Sequence, residues 1–279
     1  MTESPEERAF RALTEQITRA RGICCEAYKD KCLKRRIAVR MRARGVHSFA
    51  EYSRVLDGDA HEYDLLLDAL TINVTKFFRN PETWTALAPH LLERWRQRDG
   101  ALIVWSAGCA SGEEAYTAAI ALAEAARTSL SADRLPRARV IATDIDRVSL
   151  ERAQAARYGA SAFTEMPADL ARRWLEPAGA DDTRAPRPEI RALVHVERHD
   201  LTRQRAPAGG GSGGFDLIVC RNVVIYFDRE TQERLFQTFA DALLPGALLL
   251  LGKVETLLGP ARERLRLLDA RERIYQRPA

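Results

Sequence analysis

Residues 101–120 read ALIVWSAGCASGEEAYTAAI, and the fold turns on how this stretch is read. Residues 101–105 form a short apolar run with β-branched members, the pattern of a buried strand. Residues 106–112 are all small, and Gly108 and Gly112 can take backbone angles closed to other residues. Ser111 stands where it can cap a helix. Glu113 and Glu114 fall in that helix's first turn, and residues 116–126 continue it with strong helix formers. Strand, glycine turn and helix in this order build a ligand crevice at the carboxyl end of a strand in an open α/β sheet.

The glycine spacing selects the ligand. G-x-x-x-G is not the G-x-G-x-x-G that seats a dinucleotide pyrophosphate on a helix end. Glutamates at positions 113 and 114 would repel a phosphate there. They suit a ligand carrying an amino group and a positive centre, which predicts S-adenosylmethionine (AdoMet) rather than NAD.

Composition bounds the rest. The chain has 279 residues, 46% of them hydrophobic, enough for one large domain or a medium one with a small companion. No apolar run reaches the roughly 18 residues that span a bilayer, and MTESPEERAF at the start has no signal-peptide core. Membrane insertion is therefore not expected. Cys24, Cys25, Cys32, Cys109 and Cys220 show neither paired zinc spacing nor a secreted disulfide pattern, so a reduced, cytoplasmic protein without a metal is expected. The net charge of +4 is unevenly spread. Lys29, Lys31, Lys34, Arg35, Arg36, Arg40, Arg42 and Arg44 crowd one segment against the single acid Asp30, a patch that implies an acidic partner.

Residues 1–70 read as an all-α domain. Helices are expected over 6–21, 26–44 (closed by Gly45), 49–56 (opened by the capping box Ser48 and Glu51) and 60–70. In the second helix Leu33, Ile37 and Met41 lie four apart and form the buried stripe, leaving the arginines, Arg36 and Arg40 among them, for a partner. No recognition-helix motif or aromatic interleaving supports nucleic acid, and an acidic protein helix fits at least as well. Residues 71–81 form a linker in which at least one of Phe77 and Phe78 is expected to anchor packing between the two parts. Asn80 is expected to cap a helix starting at Pro81.

Residues 82–279 alternate strands and helices. A second strand, 139–142, ends in TDID, where Asp144 is placed to accept both ribose hydroxyls of an adenosine. A helix follows over 147–157, then a less regular stretch with helical signals near 168–175. A strand over 193–198 ends in HDL. Residues 206–214, APAGGGSGG, read as an exposed flexible insertion without function. Then come a strand over 215–220, the sequence RNVVIYFD, a helix over 229–244, a turn at Pro245 and Gly246, and a strand over 247–252. A hairpin of 266–269 and 273–276 closes the chain. The fold expected is α/β: a doubly wound, mostly parallel, seven-stranded Rossmann-like sheet of the AdoMet methyltransferase type, with a small N-terminal all-α domain.

Taken together, LLDALTINVTKFFRNPETW (66–84), VWSAGCASGEEAYTAAI (104–120), ATDID (142–146), FDLIVCRNVVIYFD (215–228) and LLPGALLLLGKVETL (243–257) resemble the CheR family of chemotaxis receptor methyltransferases. LKRRIAVRMRARG followed by SFAEYSRVL resembles that family's small helical domain, so the resemblance covers nearly the whole chain. It implies methyl transfer from AdoMet to glutamate side chains on the cytoplasmic helices of chemoreceptors, leaving S-adenosylhomocysteine (AdoHcy). It implies AdoMet contacts at Asn73, Thr75, Arg79, Glu114 and Asp144. Asp200 and Leu201 would flank the adenine, Arg221 and Asn222 would complete the pocket, and Tyr226 would lie near the methyl group. Arg79 and Tyr226 are the candidates for holding a carboxylate and orienting the incoming glutamate. The basic helix 29–44 would dock the acidic methylation helices, the enzyme acting as a monomer. A small β-subdomain is expected within about 158–200. The chain departs from the family pattern at Ile72, Val74, Ala115 and in GKVE, where a serine usually precedes the glutamate. Rival readings are an AdoMet methyltransferase acting on another protein or a small molecule, and a non-catalytic AdoMet- or receptor-binding module.

Overall fold

The structure is a computed structural model that describes residues 3–70, 75–98, 100–129, 137–179, 181–210 and 213–279. It divides into two compact units, Met1–Ile72 with Tyr226–Thr231, and Asn73–Ile225 with Gln232–Ala279. Among the described residues no helix is long and apolar enough to cross a membrane.

The first unit holds α1 (Pro5–Arg21), α2 (Asp30–Ala43), α3 (Phe49–Gly58) and α4 (Ala60–Leu70). Ser48 and Glu51 form the expected capping box on α3, and Ser4 with Glu7 forms a second one on α1. Each is worth about 1 kcal/mol. Helix α2 starts later than its composition suggests. Tyr28 is extended (φ −102°, ψ 152°) and bridges Phe227, a pairing that an α-helix at 26–29 would forbid. Gly45 (φ 66°) ends α2 in the left-handed conformation, and Leu33, Ile37 and Met41 are its buried stripe.

The arginines of α2 correct one expectation. Arg40 grips Glu62 of α4 in a fork, Nε to Oε1 at 2.9 Å and Nη2 to Oε2 at 2.8 Å. The Tyr52 hydroxyl donates to the same carboxylate at 2.7 Å, and Glu62 is fully buried. Arg36 donates to the Ala69 carbonyl at 2.7 Å and lies 5.5 Å over the Tyr226 ring. Both side chains therefore belong to the architecture of the helical unit. The solvent-facing stripe of α2 is instead Lys31, Arg35, Val39 and Arg42.

The second unit opens with α5 (Pro81–Arg96) and is built on a seven-stranded sheet. Its strands are β1 (Leu102–Ala107), β2 (Ala138–Asp144), β3 (Val194–Arg198), β4 (Phe215–Cys220), β5 (Leu243–Leu251), β6 (Arg266–Asp269) and β7 (Ile274–Gln276). They lie in the order β3-β2-β1-β4-β5-β7-β6, parallel through β5, with β7 antiparallel to both of its neighbours. Helices α6 (Glu113–Ser129), α7 (Arg147–Ala155), α8 (Ala168–Trp174), α9 (Pro188–Arg191), α10 (Arg229–Ala242) and α11 (Ala261–Arg264) complete the element list. Strand β4 is buried at every position, as parallel strands covered on both faces are. Each large apolar side chain buried there contributes about 1.5–3 kcal/mol.

Several expectations are corrected by packing. Pro245 and Gly246 do not end a turn before β5 but lie inside it. The β4–β5 pairing jumps from Phe215↔Leu243 to Leu217↔Leu248, and the extra residues bulge there, with Gly246 at φ 74°. Asn80 sits at the start of α5 but makes no capping bond, because its side chain accepts from Arg221. Phe77 and Phe78 are both buried inside the sheet unit. Phe77 stacks on Phe163 (4.7 Å) and meets Tyr158 edge-on (5.0 Å), while Phe78 faces Trp84. The described part of the glycine-rich stretch is not a free loop, since Pro207 and Gly210 are buried and residues 208–210 form a 3₁₀ turn. Between residues 158 and 200 the described residues carry only two isolated bridges, Tyr158↔Arg184 and Leu175↔Pro186, besides β3, which belongs to the main sheet.

Candidate active site

The sheet reverses its winding between β1 and β4, and the carboxyl ends of the strands around that point bring most of the candidate residues together. The first turn of the chain there is 107–112. Gly108 (φ 82°) and Gly112 (φ 96°) need glycine twice over. A side chain at Gly108 would come within 2.6 Å of Val223, and one at Gly112 within 2.8 Å of Ala153. The Gly108 and Cys109 N–H groups donate to the Thr143 carbonyl at 2.8 and 2.9 Å, tying this turn to the end of β2.

Asp144 finishes that tie. Its Oδ2 accepts from the Ala110 N–H at 2.9 Å and its Oδ1 from the Asp146 N–H at 3.0 Å. Capping of α7 falls to Asp146, whose side chain accepts from Val148 N–H and the Ser149 hydroxyl. Asp144 is thus left at the crevice with lone pairs still available on both oxygens. Burial pushes its carboxyl above the usual range, against the backbone donors that pull it down. The Asp144 carbonyl accepts from His199 N–H at 2.9 Å, which fixes the chain just before Asp200 and Leu201. Asp200 closes its own 3₁₀ turn by accepting from Thr202 N–H and hydroxyl at 2.9 and 2.7 Å, and Leu201 is buried.

Glu114 points the other way from an ordinary first-turn glutamate. Its Oε1 accepts from the Ser106 hydroxyl at 2.9 Å, and Oε2 has no hydrogen-bond partner among the described residues. Burial pushes its carboxyl up to about 7, although Arg221 and Ser106 act to lower it. Glu113, its neighbour, is buried and takes the Ser111 hydroxyl at 2.7 Å.

Arg221 follows β4 and is buried, with Nη1 donating to the Arg79 carbonyl and Nη2 to Asn80 Oδ1, both at 2.9 Å. Its Nε is buried without a partner among the described residues. Burial works against its charge, and Glu114 is the main group offsetting that cost. Arg79 is half-buried beside it, and Thr75 is half-buried in the same segment. Asn222 is left-handed (φ 61°). Asn73 lies outside the described residues. Tyr226 belongs to the helical unit, where Lys29 N–H donates to its carbonyl at 3.0 Å.

One residue escaped the sequence reading. Glu255, in GKVE, is 3% exposed and accepts from the backbone N–H groups of Asn222, Val223 and Val224 after β4 and of Gly252 after β5. A glutamate in a polar loop gives no periodic signal, and only the folded loops reveal its role.

These groups fit AdoMet. An underpartnered, half-buried carboxylate suits an amino group, a carboxylate at the end of β2 suits a ribose, and a buried guanidinium with an open Nε suits a carboxylate. The match of the chain to known families decides the assignment. Residues 73–274 match the CheR methyltransferase, SAM binding domain, and residues 8–71 match the CheR methyltransferase, all-alpha domain. The chain belongs to the CheR methyltransferase family. It is 35% identical over 259 residues to a chemotaxis protein methyltransferase of Listeria innocua, covering 91% of this chain and 92% of the relative. With that of Klebsiella aerogenes it shares 36% over 250 residues, 88% and 82% of the two chains. With chemotaxis protein methyltransferase 2 of Pseudomonas aeruginosa it shares 36% over 248 residues, 88% and 85%. The family's SAM-binding domain makes AdoMet the cofactor of this chain.

Proposed function

We propose that this enzyme transfers the methyl group of AdoMet to glutamate side chains of chemoreceptors, producing glutamate methyl esters and AdoHcy. The observation that carries the cofactor half is Glu114, a half-buried carboxylate with one hydroxyl donor and one open oxygen, within electrostatic reach of Arg221. In this reading Glu114 accepts the amino group and Asp144 the ribose hydroxyls. Asp200 and Leu201 flank the adenine. Arg79 and Arg221 hold the carboxylate of the methionine moiety, with Asn73, Thr75 and Asn222 completing the contacts.

When bound, AdoMet supplies a methyl group already activated on a sulfonium. The protein need not remove a proton, because a glutamate with a pKa of about 4.3 is ionised near neutrality. Its task is alignment, bringing the carboxylate oxygen to about 3–3.5 Å from the methyl carbon and opposite the departing sulfur. Tyr226 is our candidate for orienting that oxygen through its hydroxyl.

We take the helical unit as the receptor-docking domain and the sheet unit as the methyltransferase domain. The docking stripe is Lys31, Arg35, Val39 and Arg42. Val39 is 48% exposed, an apolar centre among cations that suits an acidic amphipathic helix. The test is transfer of radiolabelled methyl from AdoMet onto membranes bearing the cognate chemoreceptors, followed by mild alkali. Label that enters the receptor and leaves as methanol is the expected result. Label that resists alkali would rule out a carboxyl ester and overturn the assignment.

A further inference from the structure

We propose that Glu255 is a positioning residue for cofactor binding, its carboxylate moulding the loop after β4 so that Arg221, Asn222 and Val223 face the crevice in one fixed arrangement. Oε2 accepts from Gly252 N–H at 2.7 Å and from Asn222 N–H at 2.9 Å. Oε1 accepts from Val223 N–H at 3.0 Å and Val224 N–H at 2.9 Å. Consecutive amides of one loop thus converge on a single buried acid rooted in another.

Such a carboxylate replaces the ladder that β4 and β5 lose where they diverge. Asn222 is held left-handed at φ 61°, a conformation that asparagine tolerates better than other non-glycine residues and that the Glu255 bond fixes here. The next residue carries the constraint across the site. Val223 lies so close to Gly108 that any side chain at position 108 would meet it at 2.6 Å. Glu255 therefore acts through the Val223 backbone on the same glycine turn that leads into Glu114, and through Asn222 on the neighbouring Arg221. A structural role alone would resemble Asp216, a buried acid at the opposite end of β4. Asp216 binds Arg94 (2.7 Å) and Arg98 (3.1 Å) and accepts from Ile103 N–H at 2.9 Å, away from the crevice.

This inference rests on the AdoMet reading above, and the experiment separates the two. AdoHcy is titrated calorimetrically into the wild-type chain, Glu255→Gln, Gly252→Ala and Asp216→Asn, below the melting temperature of each. Wild-type protein that fails to bind AdoHcy would overturn the cofactor reading itself. With wild-type binding in place, Glu255→Gln sets an amide N–H₂ against two backbone donors and is expected to weaken AdoHcy at least tenfold. Gly252→Ala keeps the charge but places a methyl 2.6 Å from Oε2, and is expected to weaken binding in the same direction. Asp216→Asn is expected to melt earlier while holding its affinity within about twofold. In turnover, the Glu255→Gln KM for AdoMet should rise while kcat at saturation stays within about threefold. Wild-type affinity in either folded Glu255→Gln or Gly252→Ala, or an equal loss in Asp216→Asn, would overturn the positioning role.

Discussion

Glu62, fully buried, and Glu114, half-buried at the crevice, are opposites in what surrounds them. Glu62, in the helical unit, has a two-point Arg40 and a tyrosine hydroxyl. Burial alone would raise its carboxyl, but Arg40 and Tyr52 outweigh that and hold it below the usual range. Glu114, in the sheet unit, has one serine hydroxyl, and burial wins, raising it to about 7. A buried charge whose partners are all in the chain is a structural element. One whose environment is left short of donors is a binding site for a ligand that brings them.

The largest effect expected from this contrast is on the structural side. Arg40→Glu leaves Glu62 buried beside a like charge and should destabilise the helical unit by about 3–5 kcal/mol, as loss of one partner of a buried pair does. Denaturant unfolding reads this, and a loss near zero would remove Arg40 from the architecture and return it to the docking surface. Glu114→Gln should do the reverse. It removes a charge the fold holds at a disadvantage, so thermal stability at pH 8 should be kept or raised. A charge-assisted hydrogen bond is worth about 1.5–3 kcal/mol, so AdoHcy affinity should fall by roughly 10- to 150-fold. The smallest effect on folding belongs to the surface stripe. Lys31→Glu with Arg35→Glu should change stability by no more than about 0.5 kcal/mol. The same pair should raise the KM for receptor several-fold, most at low salt. Unchanged receptor kinetics would place docking elsewhere.

The sheet side of this contrast was legible in the sequence because its signals are local. The run 102–107, the glycines at 108 and 112 and the strand end at Asp144 are each fixed by neighbours in the chain. The expectations that fell depended on distant residues. Arg40 and Arg36 read as free cations because Glu62 and the Ala69 carbonyl are more than 20 positions away. Asn80 read as a cap because Arg221, 141 positions on, is invisible from the helix start. Glu255 was visible only as a position in the GKVE stretch of the family resemblance, and its role was not, since its partners are backbone amides that any residue supplies. The Pro245–Gly246 pair read as a turn because a bulge inside a strand uses the same residues.

The two glutamates also predict opposite responses to pH. For Glu62, depressed in the fold, stability is present above the ordinary value of 4.5 and lost as pH falls through its lower folded value. For Glu114, raised from 4.5 to about 7, the contribution to folding of the ligand-free chain is full below 4.5 and lost as pH rises through about 7. Ligand binding runs against that loss, since the ionised form is the one that accepts the amino group. The measurement to make is therefore a calorimetric titration of AdoHcy between pH 6 and pH 8, on the wild-type chain and on Glu114→Gln. Wild-type affinity should rise about tenfold across that range, following ionisation of a group near pH 7, while the variant stays weak and nearly flat. A flat wild-type profile, or a variant that binds as tightly and with the same slope, would contradict Glu114 as the carboxylate that receives the cofactor.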